Sequence, residues 1–213
     1  MRDALVIGAG PAGLMAAEAL ARAGLRVVVA EAKPSVGRKF LMAGKSGLNI
    51  TKAEAFDAFV AAFAEAGPVL RPALEAFGPE AVQDWARGLG QEVFTGSSGR
   101  VFPVVMKASP LLRAWLARLA GLDVDIRTRW RWVGVDDGFR FDTPEGVQVL
   151  RADVTVLACG GASWARLGSD GAWTALLPGV PLAPFQPANM GFIVDWSAHM
   201  ARHLGQPVKG IAL

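Results

Sequence analysis

The 213-residue chain is 52% hydrophobic and 19% charged, with a formal net charge of +3. Such a composition can bury a core and excludes a highly charged, disordered chain; its mild basicity, without a long run of like charge, argues against a dedicated polyanion binder, so no nucleic-acid partner is expected. Cys159 is the only cysteine, which excludes an internal disulfide and suits a reducing, cytoplasmic setting.

The apolar stretch from Ala4 to Leu14 is interrupted by Gly10-Pro11-Ala12-Gly13 and runs on into Glu18 and Arg22. It is too short and too broken to span a bilayer, so no membrane is expected. Ala4 to Ile7 reads instead as a strand buried on both faces of a parallel sheet. Gly8, Gly10 and Gly13 follow as G-x-G-x-x-G, and Pro11 to Ala23 is an alanine- and leucine-rich helix pattern with Pro11 in its first turn. Gly24 stops that helix, and Val27 to Ala30 is a second buried strand whose tip is Glu31, eighteen residues past Gly13.

Each part has a physical task. Gly8 allows a tight turn off the strand, Gly10 lets a diphosphate approach the backbone, and Gly13 lets helix and strand pack closely. The helix start offers free N–H groups and partial positive charge. Glu31 can accept hydrogen bonds from a ribose diol, and its charge would repel the 2′-phosphate of NADP. A glycine triplet alone would also suit a βα turn that binds nothing; the flanking strand, helix and acid together favour a dinucleotide cradle.

Ala32 to Thr51 reads as a long loop with glycines at 37, 44 and 47 and cations at 33, 38, 39 and 45. It can lie along a diphosphate and then cover a flavin ring, and Phe40-Leu41-Met42 argue against a freely exposed loop. Ala53 to Ala66, Pro79 to Leu89 and Ala108 to Ala120 follow helical spacing, with their aromatics assigned to the core. Thr95 to Val104 reads as a polar connector. Arg127 to Trp132 alternates arginines with larger side chains, and an amphipathic strand accounts for it better than a nucleic-acid surface.

Turn residues at Asp137-Gly138 and Pro144-Glu145-Gly146 divide Arg127 to Arg151 into three short antiparallel strands. Val154 to Ser163 then reads as a buried strand running into Gly160-Gly161, with Cys159 as a small buried hydrophobe. Asp195, His199 and His203 would align on a helix, where a solvated face is favoured over a metal site; no metal is expected.

The segments "VIGAGPAGL…VVVAE", "GRKFLMAGKSGLNIT", "GRVFPVVMKASPLLRAWLARL" and "VLACGGASWARLGSDGAW" resemble bacterial flavoproteins of the aminoacetone-oxidase-like, NAD(P)/FAD-dependent oxidoreductase family. Gly44 to Lys52 lacks the Arg-Cys pair of that family's commoner branch, so the chain resembles a sub-branch and chemistry of that cysteine does not carry over. The resemblance implies an α/β fold: a Rossmann-like, FAD-binding, three-layer ββα arrangement of a parallel sheet with a three-stranded antiparallel crossover. It implies a cofactor domain over residues 1–180 and the start of a second, substrate domain over 181–213. The returning segment that would close a flavin site is not found after Gly171, so the chain is expected to be the amino-terminal part of a longer flavoprotein.

By the same resemblance FAD is the cofactor. Gly8, Ala9, Gly10, Pro11, Ala12 and Gly13 hold its ADP half with Glu31 and Ala32, while Arg38 and Lys39 lie near the diphosphate or flavin edge. Gly160 and Gly161 lie beside the cofactor, Gly168 to Gly171 approach the flavin, and Lys39 or Lys45 is a candidate to stabilise reduced flavin. The implied activity is hydride transfer between a small organic substrate and flavin, with a nicotinamide nucleotide or oxygen as second partner. The alternative is a non-catalytic dinucleotide-binding or RNA-associated module.

Overall fold

The aliphatic run after Arg2 forms β1 (Asp3–Ile7) in the computed structural model, which describes residues 2–44, 47–186 and 193–205. Then come α1 (Pro11–Arg22) and β2 (Arg26–Glu31), the βαβ unit that the glycine spacing predicts. Next are α2 (Arg38–Ala43), β3 (Thr51–Lys52), α3 (Phe56–Ala61), α4 (Gly67–Ala76), α5 (Pro79–Gly88), β4 (Val93–Thr95), β5 (Arg100–Pro103) and α6 (Ala108–Gly121). The chain continues through β6 (Asp125–Thr128), β7 (Arg131–Val135), β8 (Phe139–Thr143), β9 (Gly146–Leu150) and β10 (Val154–Leu157).

A parallel sheet runs in the order β10-β1-β2-β6, with antiparallel sheets β3-β5-β4 and β7-β8-β9 beside it. Alternation along β1 decides the layers, because successive side chains of a strand leave opposite faces. Ala4 and Val6 pack with Leu14, Ala17, Leu111 and Trp115 on the side of α1 and α6. Leu5 and Ile7 pack with Trp132 and Phe141 of the meander. The result is the expected three-layer ββα, Rossmann-like arrangement, a parallel sheet between helices and a three-stranded crossover.

Several expectations need correction. The loop after Glu31 contains α2, and Thr51–Lys52 pairs with β5, so the supposed connector around Thr95–Val104 is a hairpin with a third strand. The helix expected over 53–66 ends at Ala61, where a 3-10 turn and Ala64 (φ +49°) intervene, and α4 begins at the apparent breakers Gly67 and Pro68. Proline is acceptable in a first helical turn, so tertiary packing overrides the stop signal. Of the aromatic stripe there, Val60 is buried but Phe63 is exposed and meets Phe59 edge to face.

Arg127 to Trp132 is not one amphipathic strand. Arg129 (φ +60°) breaks it, leaving β6 in the parallel sheet and starting β7 in the meander. Nor is β10 buried on both sides: among the described residues it has a strand neighbour on one side only, and Val154 and Leu157 are exposed.

Two units divide the chain, Met1–Leu182 and Ala183–Leu213. In the second, Ala198–His203 is a 3-10 helix. Its three residues per turn separate His199 from His203, and Asp195 precedes it, so the three do not share a face. His203 Nε2 instead faces Arg202 Nε at 3.1 Å. Pro187, Gly191 and the final Val208–Leu213 run, read above from sequence, lie outside the described residues. Among the described residues no helix is long and apolar enough to cross a membrane, and no cluster of three metal-ligating side chains occurs.

Candidate functional site

Because β1, β2 and β10 are parallel, the turns that leave them emerge on one edge of the sheet. That edge, the carboxyl end of the strands, is where open α/β sheets bind ligands. Ile7 pairs with Ala30 on one side and Leu157 on the other, so the glycine turn lies between Glu31 and the loop carrying Gly160 and Gly161. A concavity of about 570 Å³, lined by Asp3, Arg26, Asp125 and Arg151 among others, lies at the opposite, amino-terminal edge. It is remote from this constellation, and the turns gathered at the carboxyl edge are the better candidate.

The turn is held from beneath. Gly8 N–H donates to Ala30 O at 2.8 Å, and Ala158 N–H donates to Ile7 O at 2.8 Å. Gly8 adopts φ +106°, and a Cβ there would lie 2.3 Å from Ala158 O, so neither its conformation nor its surroundings admit a side chain. Gly10 caps α1 without a side-chain hydrogen bond, and Leu14 N–H makes the first bond back to it at 2.9 Å. Among the described residues the N–H groups of Gly10, Ala12 and Gly13 have no acceptor, as a helix start leaves them. Pro11 and Ala12 are exposed, and a Cβ on Gly10 would meet nothing within 4 Å. The first turn of α1 is therefore open, donor-rich and free of acidic residues, a setting that favours an anion.

Glu31 sits at the tip of β2 and reaches back into the turn. Its Oε2 accepts from Ala9 N–H at 2.9 Å and its Oε1 from Lys33 N–H at 2.8 Å. Each oxygen retains a lone pair, so the carboxylate can still accept from a diol. Exposed Ala32 lies between these contacts. The sequence pattern missed that Glu31 braces the turn, because the partners are backbone groups.

Of the two predicted cations, Arg38 begins α2 and donates from Nη1 to Ser35 Oγ at 3.1 Å. Its Nε is buried and has no acceptor among the described residues, leaving a donor beside the turn that a ligand oxygen would satisfy. Gly37 N–H ties this segment to Ala9 O at 2.9 Å. Lys39 Nζ contacts Ser163 Oγ at 2.6 Å, which brings the loop after β2 to the glycine pair after β10. Lys45 lies outside the described residues.

Gly160 and Gly161 are anchored by residues that the sequence reading did not assign this task. Trp173 Nε1 donates to Gly160 O at 2.9 Å, and buried Ser169 Oγ to Gly161 O at 3.0 Å. Gly168, flanking Ser169, packs against the stem of Lys33: a Cβ there would lie 3.2 Å from it. The predicted Gly168 to Gly171 element thus supports the turn from behind. Two polar side chains between two glycines, Ser169 and Asp170, were the only signal.

Cys159 is half-buried rather than fully buried, with Sγ 3.7 Å from Ile7 O. Burial, aided by the Glu31 charge, pushes its thiol up to about 11. Two pH units less acidic than an ordinary thiol means about a hundredfold less thiolate at neutral pH. Cys159 is therefore expected to alkylate with iodoacetamide about a hundredfold more slowly than glutathione, measured by mass spectrometry; equal rates would contradict the burial.

Comparison with known proteins adds a family and a fold. The family model described as HI0933-like protein Rossmann domain matches residues 2–183. The open conformation of a flavocytochrome c3 fumarate reductase matches with TM-score 0.59 and 22% identity, over 75% of this chain and 34% of that one. A 3-ketosteroid-Δ4-(5α)-dehydrogenase from Rhodococcus jostii RHA1 matches with TM-score 0.52 and 17% identity, over 75% and 46%. At these identities the likeness is one of fold, and this chain spans less than half the length of either structure.

Proposed function

The chain belongs to the HI0933-like protein Rossmann-domain family, and on that premise we propose that it binds FAD as the cofactor part of an oxidoreductase. The observation that carries the reading is Glu31 at the β2 tip, bonded into a glycine turn whose helix-start N–H groups have no acceptor among the described residues. A diphosphate answers those donors, and a ribose diol answers the carboxylate. Ala9, Gly10, Pro11, Ala12 and Gly13 would border the diphosphate, Glu31 and Ala32 the ribose, and the Arg38 guanidinium would add charge and a free Nε donor. Gly160 and Gly161 would border the far part of the cofactor, with Lys39 held at Ser163 between the two loops.

Hydride acceptance from a small organic substrate is the chemistry that bound FAD supplies, with a nicotinamide nucleotide or oxygen as second partner. This chain's residues contribute binding, orientation and fixed positive charge. The "GKSGLNIT" loop supports placement in the aminoacetone-oxidase-like sub-branch, and the single cysteine supports a cytoplasmic location.

The test is direct. Protein purified from cells, or titrated with FAD alone, is expected to show flavin absorbance and to release FAD on heating. Glu31→Ala is expected to weaken FAD binding about ten- to a hundredfold, the range for losing hydrogen bonds to a charged group. A wild-type protein that neither carries nor takes up FAD overturns the reading; steep salt-dependent RNA binding by a colourless protein would favour the alternative module.

A further inference from the structure

We infer that Ser169 and Trp173 are positioning residues that aim the peptide N–H groups of Gly161 and Ala162 at the bound cofactor. The inference rests on the FAD reading and assigns work to two side chains outside the glycine cradle. It starts from peptide geometry. A trans peptide is planar, and its C=O and the following N–H point in opposite directions; no cis bond occurs among the described residues. Trp173 Nε1 holds the carbonyl of Gly160 at 2.9 Å, so the N–H of Gly161, in the same plane, points away from Trp173. Ser169 Oγ holds the carbonyl of Gly161 at 3.0 Å, so the N–H of Ala162 points away from Ser169.

Neither N–H has an acceptor among the described residues. Two successive carbonyls are therefore turned onto donors, and two successive amides point away from those donors, without an acceptor among the described residues. A run of outward N–H groups forms a concavity suited to an electron-rich atom, here a carbonyl oxygen, ring nitrogen or phosphate oxygen of the dinucleotide.

The anchors are well placed to hold their aim. Ser169 is buried, and a Cβ on Gly160, which has φ +77°, would lie only 3.1 Å from its Oγ. Trp173 packs with Ile7, Ala30 and Phe141, so its indole is set by the core on the meander side of the sheet. Ser169 is thus buried and Trp173 partly buried against the core, while the turn they hold is more exposed. Preorganised donors cost nothing to orient when a ligand arrives.

Trp173→Phe keeps the ring and removes the N–H; Ser169→Ala removes the hydroxyl; Ser169→Thr restores one. In the full chain, FAD titration is expected to show about a fivefold loss of affinity for each of the first two, the size of one neutral hydrogen bond, and recovery in Ser169→Thr. The bound flavin spectrum is expected to shift, and hydrogen exchange of the 158–164 peptide in the cofactor-free protein to quicken, while the cofactor-free melting temperature stays within a few degrees. Unchanged exchange and unchanged FAD affinity in both variants would overturn the inference, and so would an affinity loss matched by a large drop in cofactor-free melting temperature. If the wild-type chain takes up no FAD, the cofactor reading fails and takes the aim toward FAD with it, whereas the exchange measurement still decides whether the two side chains hold the turn.

Discussion

Gly13→Ala is expected to cost about 3 kcal/mol of stability, the upper range for forcing atoms into a packed site. The Cβ would lie 1.8 Å from Gly8 O and 3.3 Å from the Ala158 side chain. Backbone cannot rotate aside as a flexible side chain can, so α1 must lift from the turn. For a chain of this size that corresponds to a melting temperature lower by roughly 6–12 °C, readable by calorimetry. Gly10→Ala is the control. Its φ is −80° and its Cβ meets nothing, so the melting temperature is expected to stay within about 2 °C. On the proposed FAD reading, affinity should nevertheless fall, because the methyl would occupy the diphosphate's approach. Equal melting losses in the two variants would refute the division of labour between a packing glycine and a ligand-facing one.

The second large effect lies at Glu18, on the inner face of α1. Only 4% exposed, it accepts from Trp115 Nε1 at 2.8 Å, Arg118 Nη1 at 3.1 Å, Arg22 Nη2 at 2.9 Å and, at 3.4 Å, Trp85 Nε1. The two indoles meet edge to face at 4.7 Å. One carboxylate therefore joins α1 to α5 and α6. Glu18→Ala would leave the buried Trp115 Nε1 without an acceptor and take the carboxylate from Arg118, which among the described residues keeps only Gly88 O. A lost charged hydrogen bond and an unsatisfied buried donor together cost about 3–5 kcal/mol. The expected fall in melting temperature is roughly 6–20 °C; a change below about 2 °C would show that the hub contributes nothing.

The same residue makes stability depend on acid. Burial by itself would raise the Glu18 carboxyl, but hydrogen bonds from Arg22, Arg118, Trp85 and Trp115 outweigh it and hold the group below its usual value. A carboxyl that binds its proton less readily folded than unfolded stabilises the fold fully above its unfolded value of about 4.3. That contribution decays as pH falls through the lower folded value. Wild-type and Glu18→Gln proteins, compared by urea unfolding, are expected to differ most near neutral pH and to converge below about pH 4. A gap that widens in acid would reverse the sign and exclude the assignment.

Glu18 also shows why part of the molecule was illegible. Within its own helix it reads as an ordinary charge paired with Arg22 four residues on. Its decisive partners, Trp115 and Arg118, lie 97 and 100 residues away. Ser169 and Trp173 are similar: their partners are backbone carbonyls, which leave no trace in residue type. Arg129 illustrates the converse. The alternation around it looks continuous, yet β6 is claimed by β2 and β7 by β8, and competition between sheets put the break there.

The amino-terminal cradle was determined by the sequence alone. Turn, helix start and strand-tip acid fall within Gly8 to Glu31, and their residue types and spacing mark the βαβ unit, although Ala158 of a distant strand helps to close the turn. The three-stranded meander was also legible, since turn residues act over a few positions, whereas the three-layer plan came from the family resemblance. Tertiary structure alone decided what surrounds the cradle: the α2 turn, the hairpin beside β3, the exposed edge of β10, the Glu18 hub and the anchors of the Gly160-Gly161 turn. Those features depend on which distant groups meet, and hydrogen bonds and packing across such separations are chosen by the folded chain as a whole.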